Sequence, residues 1–153
     1  MRTHHRHDAR LALAILFSLA LPGGANAETP AQTAQAWGLI GSWSADCALP
    51  PDRDRGTVLA YQIGADRRLV LRRSFGDTTD EAEVVDATLS RDGVLSLRAV
   101  FPATKQTREY GLQKLSDGSI RAIYNRDESG EYTIRDGKFT RDSRPTPPQH
   151  RCE

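Results

Sequence analysis

The sequence predicts an all-β protein, an antiparallel meander of about eight strands that closes into a small barrel, with an open β-sandwich as the alternative. Three observations carry this. From Trp37 onward the chain is a series of short apolar–polar alternations, each bounded by Gly, Asp, Ser or Pro. Three Asp-Gly pairs, Asp92-Gly93, Asp117-Gly118 and Asp136-Gly137, supply the dipeptide that tolerates positive φ in tight hairpins. No helical period separates the alternations, so consecutive strands pair as neighbours, and closure removes the edges that would otherwise aggregate.

Ahead of the strands, residues 1–27 read as a cleavable secretory signal peptide. Arg2, Arg6 and Arg10 make a basic start, Leu11 to Leu21 is apolar apart from Ser18, and Ala25-Asn26-Ala27 has the small-x-small pattern of a cleavage site. The apolar run is shorter than the roughly 20 residues a membrane-spanning helix needs. No cysteine follows it directly, which argues against a lipid anchor. The expected location is the periplasm of a Gram-negative bacterium or the medium beyond it. Residues 28–36, small and polar with helix-compatible alanines, form a short leader of about one helical turn.

The domain proper spans 37–140. Strands are expected at 39–47, 57–63, 68–75, 81–89, 94–101, 107–115, 119–125 and 132–134, with a last extended piece at 138–140. The clearest alternation sets Leu95, Leu97, Ala99 and Phe101 against Ser96, Arg98 and Val100. Ile120, Ala122 and Tyr124 alternate with Arg121 and Asn125, and apolar Ile123 breaks the pattern on the outer side. Both segments read as half-buried strands.

The tail, 141–153, carries Pro145, Pro147 and Pro148, which exclude a helix or a regular strand interior. It is expected to lie extended over the barrel until Cys152 anchors it. Cys47 and Cys152 are the two cysteines of the chain. In an oxidising compartment an even pair is most simply a disulfide, with intermolecular pairing or a free thiol as the alternatives.

Charge and composition exclude several functions. The leader removes three of the 21 Lys+Arg and one of the 20 Asp+Glu, leaving 18 basic against 19 acidic residues. A nucleic-acid binder would show a basic excess. Of the four histidines, His4, His5 and His7 precede the apolar run, so only His150 stays, too few for a Ser-His-Asp or Cys-His arrangement or for zinc. Asp52-Arg53-Asp54-Arg55-Gly56 resembles a calcium loop, yet Ile63 stands at the twelfth position and the arginines repel a cation, so it reads as a solvated turn. No metal and no cofactor is implied.

A basic stretch, Arg67, Arg68, Arg72 and Arg73, precedes an acidic one, Asp77, Asp80, Glu81, Glu83 and Asp86. A hairpin around Gly76 would set opposite charges across the ladder. The sharper expectation is an anion site, with Arg72 or Arg73 turned into a barrel mouth, since a guanidinium fork binds carboxylate or phosphate at two points.

Gly41-Ser42-Trp43, at the start of the first strand, resembles the Gly-x-Trp of lipocalins and related calycin barrels, and is similar to that of avidin-like barrels and of small barrel-form periplasmic protease inhibitors. In those folds the Trp closes one end of the barrel. Leu39 to Cys47 with Pro50-Pro51, and Ile134 to Thr140 with Pro145-Thr146-Pro147 and Arg151-Cys152, resemble the two ends of a family of small exported alphaproteobacterial proteins without an assigned activity. The chain departs from that family at Pro148-Gln149-His150, where an aromatic is expected after Thr-Pro.

The expected function is therefore a non-enzymatic periplasmic barrel that binds a small hydrophobic ligand or another envelope protein. A ligand cup would be lined by Trp43, Tyr61, Leu97, Phe101, Tyr110 and Tyr124, and needs an interior of about 300 Å³ or more. A protein-binding module, such as a protease inhibitor, would have a filled barrel and an exposed patch, and a structural envelope protein would have neither pocket nor partner. The competing enzyme class is a hydrolase with paired carboxylates, for which Asp46, Glu109 and Glu131 are candidates.

Overall fold

The computed structural model describes residues 27–53 and 56–152. The segment read as a signal peptide lies outside the described residues except for Ala27. One helix, α1 (Pro30–Trp37), precedes ten strands: β1 (Gly41–Ser44), β2 (Val58–Ile63), β3 (Leu69–Ser74), β4 (Thr79–Leu89), β5 (Leu95–Phe101), β6 (Gln106–Lys114), β7 (Ile120–Asp127), β8 (Tyr132–Arg135), β9 (Lys138–Phe139) and β10 (His150–Cys152).

The helix is longer than one turn because its ends are well specified. Thr29 and Gln32 form a reciprocal capping box, Pro30 takes a first-turn position where its missing N–H costs nothing, and Gly38 ends the helix at φ 86°. Ala31, Ala34 and Trp37 form its buried face, which packs on β4 and β3. The Trp37 indole N–H donates to the Gly93 carbonyl at 3.2 Å, which ties the helix to a hairpin tip.

The strands form one antiparallel sheet in the order β10-β1-β2-β3-β4-β5-β6-β7-β8-β9. This is the expected meander, curled into a half-barrel. Its hairpins share one solution. Around Gly64–Arg68, Ser90–Val94, Leu115–Ser119 and Asp127–Glu131, the first N–H bonds the fifth carbonyl and the fourth N–H bonds the first carbonyl. The fourth residue sits at positive φ in each: Arg67 at 63°, Gly93 at 84°, Gly118 at 83° and Gly130 at 85°. Asp136 and Gly137, both at positive φ, make the tight two-residue turn between β8 and β9.

Alternation then sorts the side chains. Leu69, Leu71, Ala82, Val84, Ala87, Leu95, Leu97, Ala99, Tyr110, Leu112 and Ile120 face inward and form one cluster with Trp43, Tyr61 and Phe101. Opposite charges meet across the β3–β4 hairpin as the sequence suggests, with Arg72 opposite Glu81 and Arg73 opposite Asp80.

The two sides of the curl meet through the tail. β10 pairs with β1, and Gln149, just before it, exchanges two backbone hydrogen bonds with Ile120 of β7, at 2.7 and 2.9 Å. Closure is thus a single bridge rather than a full ladder. The free edge of β7 is shared out: Asn125 and Arg126 pair with β8, the Ile123 carbonyl accepts from Gly137 N–H, and the Ala122 carbonyl accepts from the Thr146 hydroxyl at 2.7 Å. The prolines are tolerated because the backbone bonds of this segment are donated by Thr146, between Pro145 and Pro147, and by Gln149, after Pro148, which retain their N–H groups.

Two further contacts hold the tail. The Cys47–Cys152 disulfide is present. Arg151 stacks over the Trp43 ring at 5.3 Å and donates to the Gly38 and Ile40 carbonyls, while the Trp43 N–H donates to the Leu39 carbonyl at 2.7 Å. No helix among the described residues is long and apolar enough to cross a membrane.

Candidate functional site

The interior residues expected to line a cup are Trp43, Tyr61, Leu97, Phe101 and Tyr110, and all five lie in the buried cluster, packed on one another. Towards the Phe101 end the interior becomes polar. Arg73 lies half-buried with its guanidinium 4.2 Å from the Phe101 ring centre and 5.5 Å from that of Phe75. Its Nε donates to Asp80 Oδ1 at 2.7 Å and its Nη2 to Asp80 Oδ2 at 2.5 Å. Burial works against the charge on Arg73, but Asp80 together with the Tyr110 and Tyr61 phenols outweighs it and the guanidinium is held more basic than usual. The Tyr110 hydroxyl is buried there without a hydrogen-bond partner. Burial pushes the Tyr61 phenol well above its usual value, and Tyr110 beside it pushes in the same direction. Tyr110 is raised too, again chiefly by burial.

The anion site expected at Arg72 or Arg73 finds its inward-facing arginine, Arg73, paired with Asp80. Neighbours on a strand point to opposite faces, so Arg72 is exposed on the outside while Arg73 turns inward. The Arg73 fork is already filled by a carboxylate of the chain itself. The candidate acids are also spread out: Asp46 lies in the loop after β1, where it accepts from Ala48 N–H, Glu109 on β6 accepts from Arg126, and Glu131 is in the exposed loop before β8.

Tyr124, the sixth cup candidate, faces the other way. Register on β6 moves from Gly111 opposite Tyr124 to Leu112 opposite Ala122, so Ile123 is an extra, bulged residue. A bulge shifts side-chain parity by one. Ile120 and Ala122 therefore face inward, but Tyr124 and Arg126 face outward with Gly111 and Glu109. The Tyr124 ring lies across β6 exactly where a side chain at Gly111 would stand: a Cβ there would be 2.0 Å from the ring. Its hydroxyl reaches over to Ser96 Oγ at 2.8 Å on β5.

This outer face carries two cross-strand rows. One runs Thr88, Ser96, Gly111, Tyr124, small residues with one aromatic at the end. The adjacent row runs Asp86, Arg98, Glu109, Arg126, and continues to Tyr132 of β8. Charge alternates along it. Arg126 Nε donates to Glu109 at 2.6 Å, its Nη1 reaches the Tyr132 hydroxyl at 3.4 Å, and Arg135 covers the Tyr132 ring at 4.3 Å. The rows bound a cleft of about 350 Å³, lined by Asp86, Thr88, Ser96, Arg98, Glu109, Tyr124 and Arg126. A second cleft of about 630 Å³ adjoins it across Tyr124 and Arg126, and is lined also by Ile123, Tyr132, Arg135 and Asp136.

The sequence reading missed this surface because it placed Tyr124 inside. The signal was present in Ile123, whose apolar side chain breaks the alternation of its strand, as a bulge does.

No family model, no curated protein and no solved structure matches the chain. The fold itself defines a small disulfide-locked β-meander protein, with side chains filling the curl and two polar, aromatic-walled clefts on its outer surface.

Proposed function

We propose that this chain is an exported, non-enzymatic binding module of the bacterial envelope, and that it engages another envelope component through the outside of its sheet rather than a small apolar molecule inside it. The observation that carries this is the division between the two faces. Trp43, Tyr61, Leu97, Phe101 and Tyr110 are buried in the core cluster, whereas Tyr124, Tyr132, Arg126 and Arg135 line open clefts. Aromatic and Arg side chains are the types that most often anchor a partner. The disulfide supports an oxidising destination, as does the leader pattern of residues 1–27. The Gly41-Ser42-Trp43 start remains a motif shared with calycin barrels and with barrel-form protease inhibitors.

Native mass spectrometry of the protein taken from its own periplasm, combined with photo-crosslinkers placed at Thr88 and Arg135, tests the reading. The expected outcome is a protein that carries no apolar adduct, and crosslinked adducts from both outer positions. A mass excess of a few hundred daltons, lost on denaturation and shown by fragmentation to be an apolar molecule, would instead establish an interior cargo and sink the outer-face reading.

A further inference from the structure

We propose that the paired outer clefts form a carbohydrate site that takes a neutral glycan chain. This deepens the outer-face reading and rests on it. The chemistry of the walls selects the ligand by elimination. Three acids, Asp86, Glu109 and Asp136, meet three arginines, Arg98, Arg126 and Arg135. One of these cations, Arg126, is already bonded to Glu109 and Tyr132. A phosphate or acidic peptide would find Arg126 bonded to Glu109 and Arg98 set between Asp86 and Glu109, and a basic peptide would find those carboxylates already partnered. An apolar molecule would leave those charged groups desolvated, at a cost of several kcal/mol. What fits is an uncharged molecule that presents hydroxyl groups along its edges and an apolar C–H face.

The geometry suits such a molecule. Alternate donors and acceptors stand about 5 Å apart across neighbouring strands, so a vicinal pair of hydroxyls can donate to Asp86 or Glu109 and accept from Arg98 or Arg126. Tyr124 supplies the apolar wall. Gly111 leaves the space for its ring and Ser96 holds its hydroxyl, so the ring is fixed before any ligand arrives; a preorganised wall loses little entropy on binding. Tyr132, its ring capped by Arg135, lines the adjoining cleft, and Tyr124 borders both. A chain of linked sugar rings can therefore pass from one cleft to the next over Tyr124.

The test is a titration of the disulfide-bonded, ¹⁵N-labelled protein with maltotriose, cellotriose and chitotriose, followed by amide shifts, with aspartate and lysine homopeptides as comparators. Saturable shifts at Ser96, Gly111 and Tyr124 with at least one sugar, and none with the peptides, are expected. Tyr124→Phe, which keeps the ring and loses only the Ser96 bond, should retain binding. Tyr124→Ala should weaken it about tenfold or more, as the loss of an aromatic contact worth about 1.4 kcal/mol implies. Shifts with none of the three sugars in a protein with a dispersed spectrum, shifts with a peptide instead, or equal affinity in Tyr124→Ala overturn the proposal. An apolar cargo, identified by fragmentation of the released molecule, would sink the outer-face reading on separate grounds, whereas a released carbohydrate would not, so the two failures are distinguishable.

Discussion

Tyr110 shows how much one buried atom can decide. Its hydroxyl lies in the interior with no hydrogen-bond partner among the described residues, near a guanidinium whose Nε and Nη2 are bonded to Asp80. An unsatisfied buried donor costs about 1–3 kcal/mol. Tyr110→Phe is therefore expected to raise stability by about 1 kcal/mol, read as a higher urea midpoint at unchanged slope; a loss of that size would mean that the hydroxyl is bonded after all. Tyr61 and Tyr110 also set a pH response. Both phenols are held above the ordinary value of 10.0 in the fold, chiefly by burial. In the unfolded chain they ionise near 10, so above that pH the unfolded state binds fewer protons and stability falls. Their contribution is complete below pH 10 and is lost as the pH rises towards the folded-state values. Absorbance at 295 nm should show these two phenols ionising together with unfolding, and smooth ionisation in the intact fold would contradict the burial argument. Both residues were legible in the sequence as interior aromatics. The polar company they keep was not, because Arg73 and Asp80 reach them only through the pairing of β3 with β4.

At the scale of elements, β7 is the strand where local pattern and tertiary structure part. Its first half faces its apolar residues inward as alternation predicts; one extra residue, Ile123, reverses the second half. The reversal places Tyr124 over Gly111, and these two residues now need each other. A glycine in a strand interior is otherwise a weak choice, and the ring that covers it restores the lost contact. Gly111→Ala is expected to destabilise by about 1–3 kcal/mol through overpacking, since the new Cβ would stand 2.0 Å from the Tyr124 ring. In a Tyr124→Ala background the same substitution should cost far less, and a thermodynamic cycle by chemical denaturation measures the coupling. Additive effects would refute the packing described for this pair.

At the scale of the whole molecule, the tail determines whether the sheet is a curl or a ring. β10 adds three residues to β1, Gln149 adds one bridge to β7, and Cys152 is tied to Cys47. Removing that tie frees a loop that spans 105 positions, for which the chain-entropy estimate is about 4.7 kcal/mol. The double variant Cys47→Ser, Cys152→Ser is expected to lose up to about that much stability. More specifically, the Ile120 amide, bonded to the Gln149 carbonyl, should exchange with solvent much faster, while the Leu97 amide in mid-sheet slows or quickens only with global stability. Equal changes at both amides would mean that the tail is not the closing element.

Nine of the ten strands and the hairpin positions follow from local rules, period-2 alternation and residues that accept positive φ, and the cysteine pair follows from there being two cysteines in the chain. Those rules act over a few residues, so they can be read directly from the chain. The tenth strand could not be read, because Pro147 and Pro148 mask an extended segment whose hydrogen bonds come from partners about 30 and 110 positions away. The outer clefts were equally hidden. Asp86, Arg98, Glu109 and Arg126 form a row only once four strands are set in register, and a one-residue bulge decides which face of the sheet Tyr124 occupies. Side-chain parity has no memory of sequence beyond the strand, so only the assembled sheet could settle it.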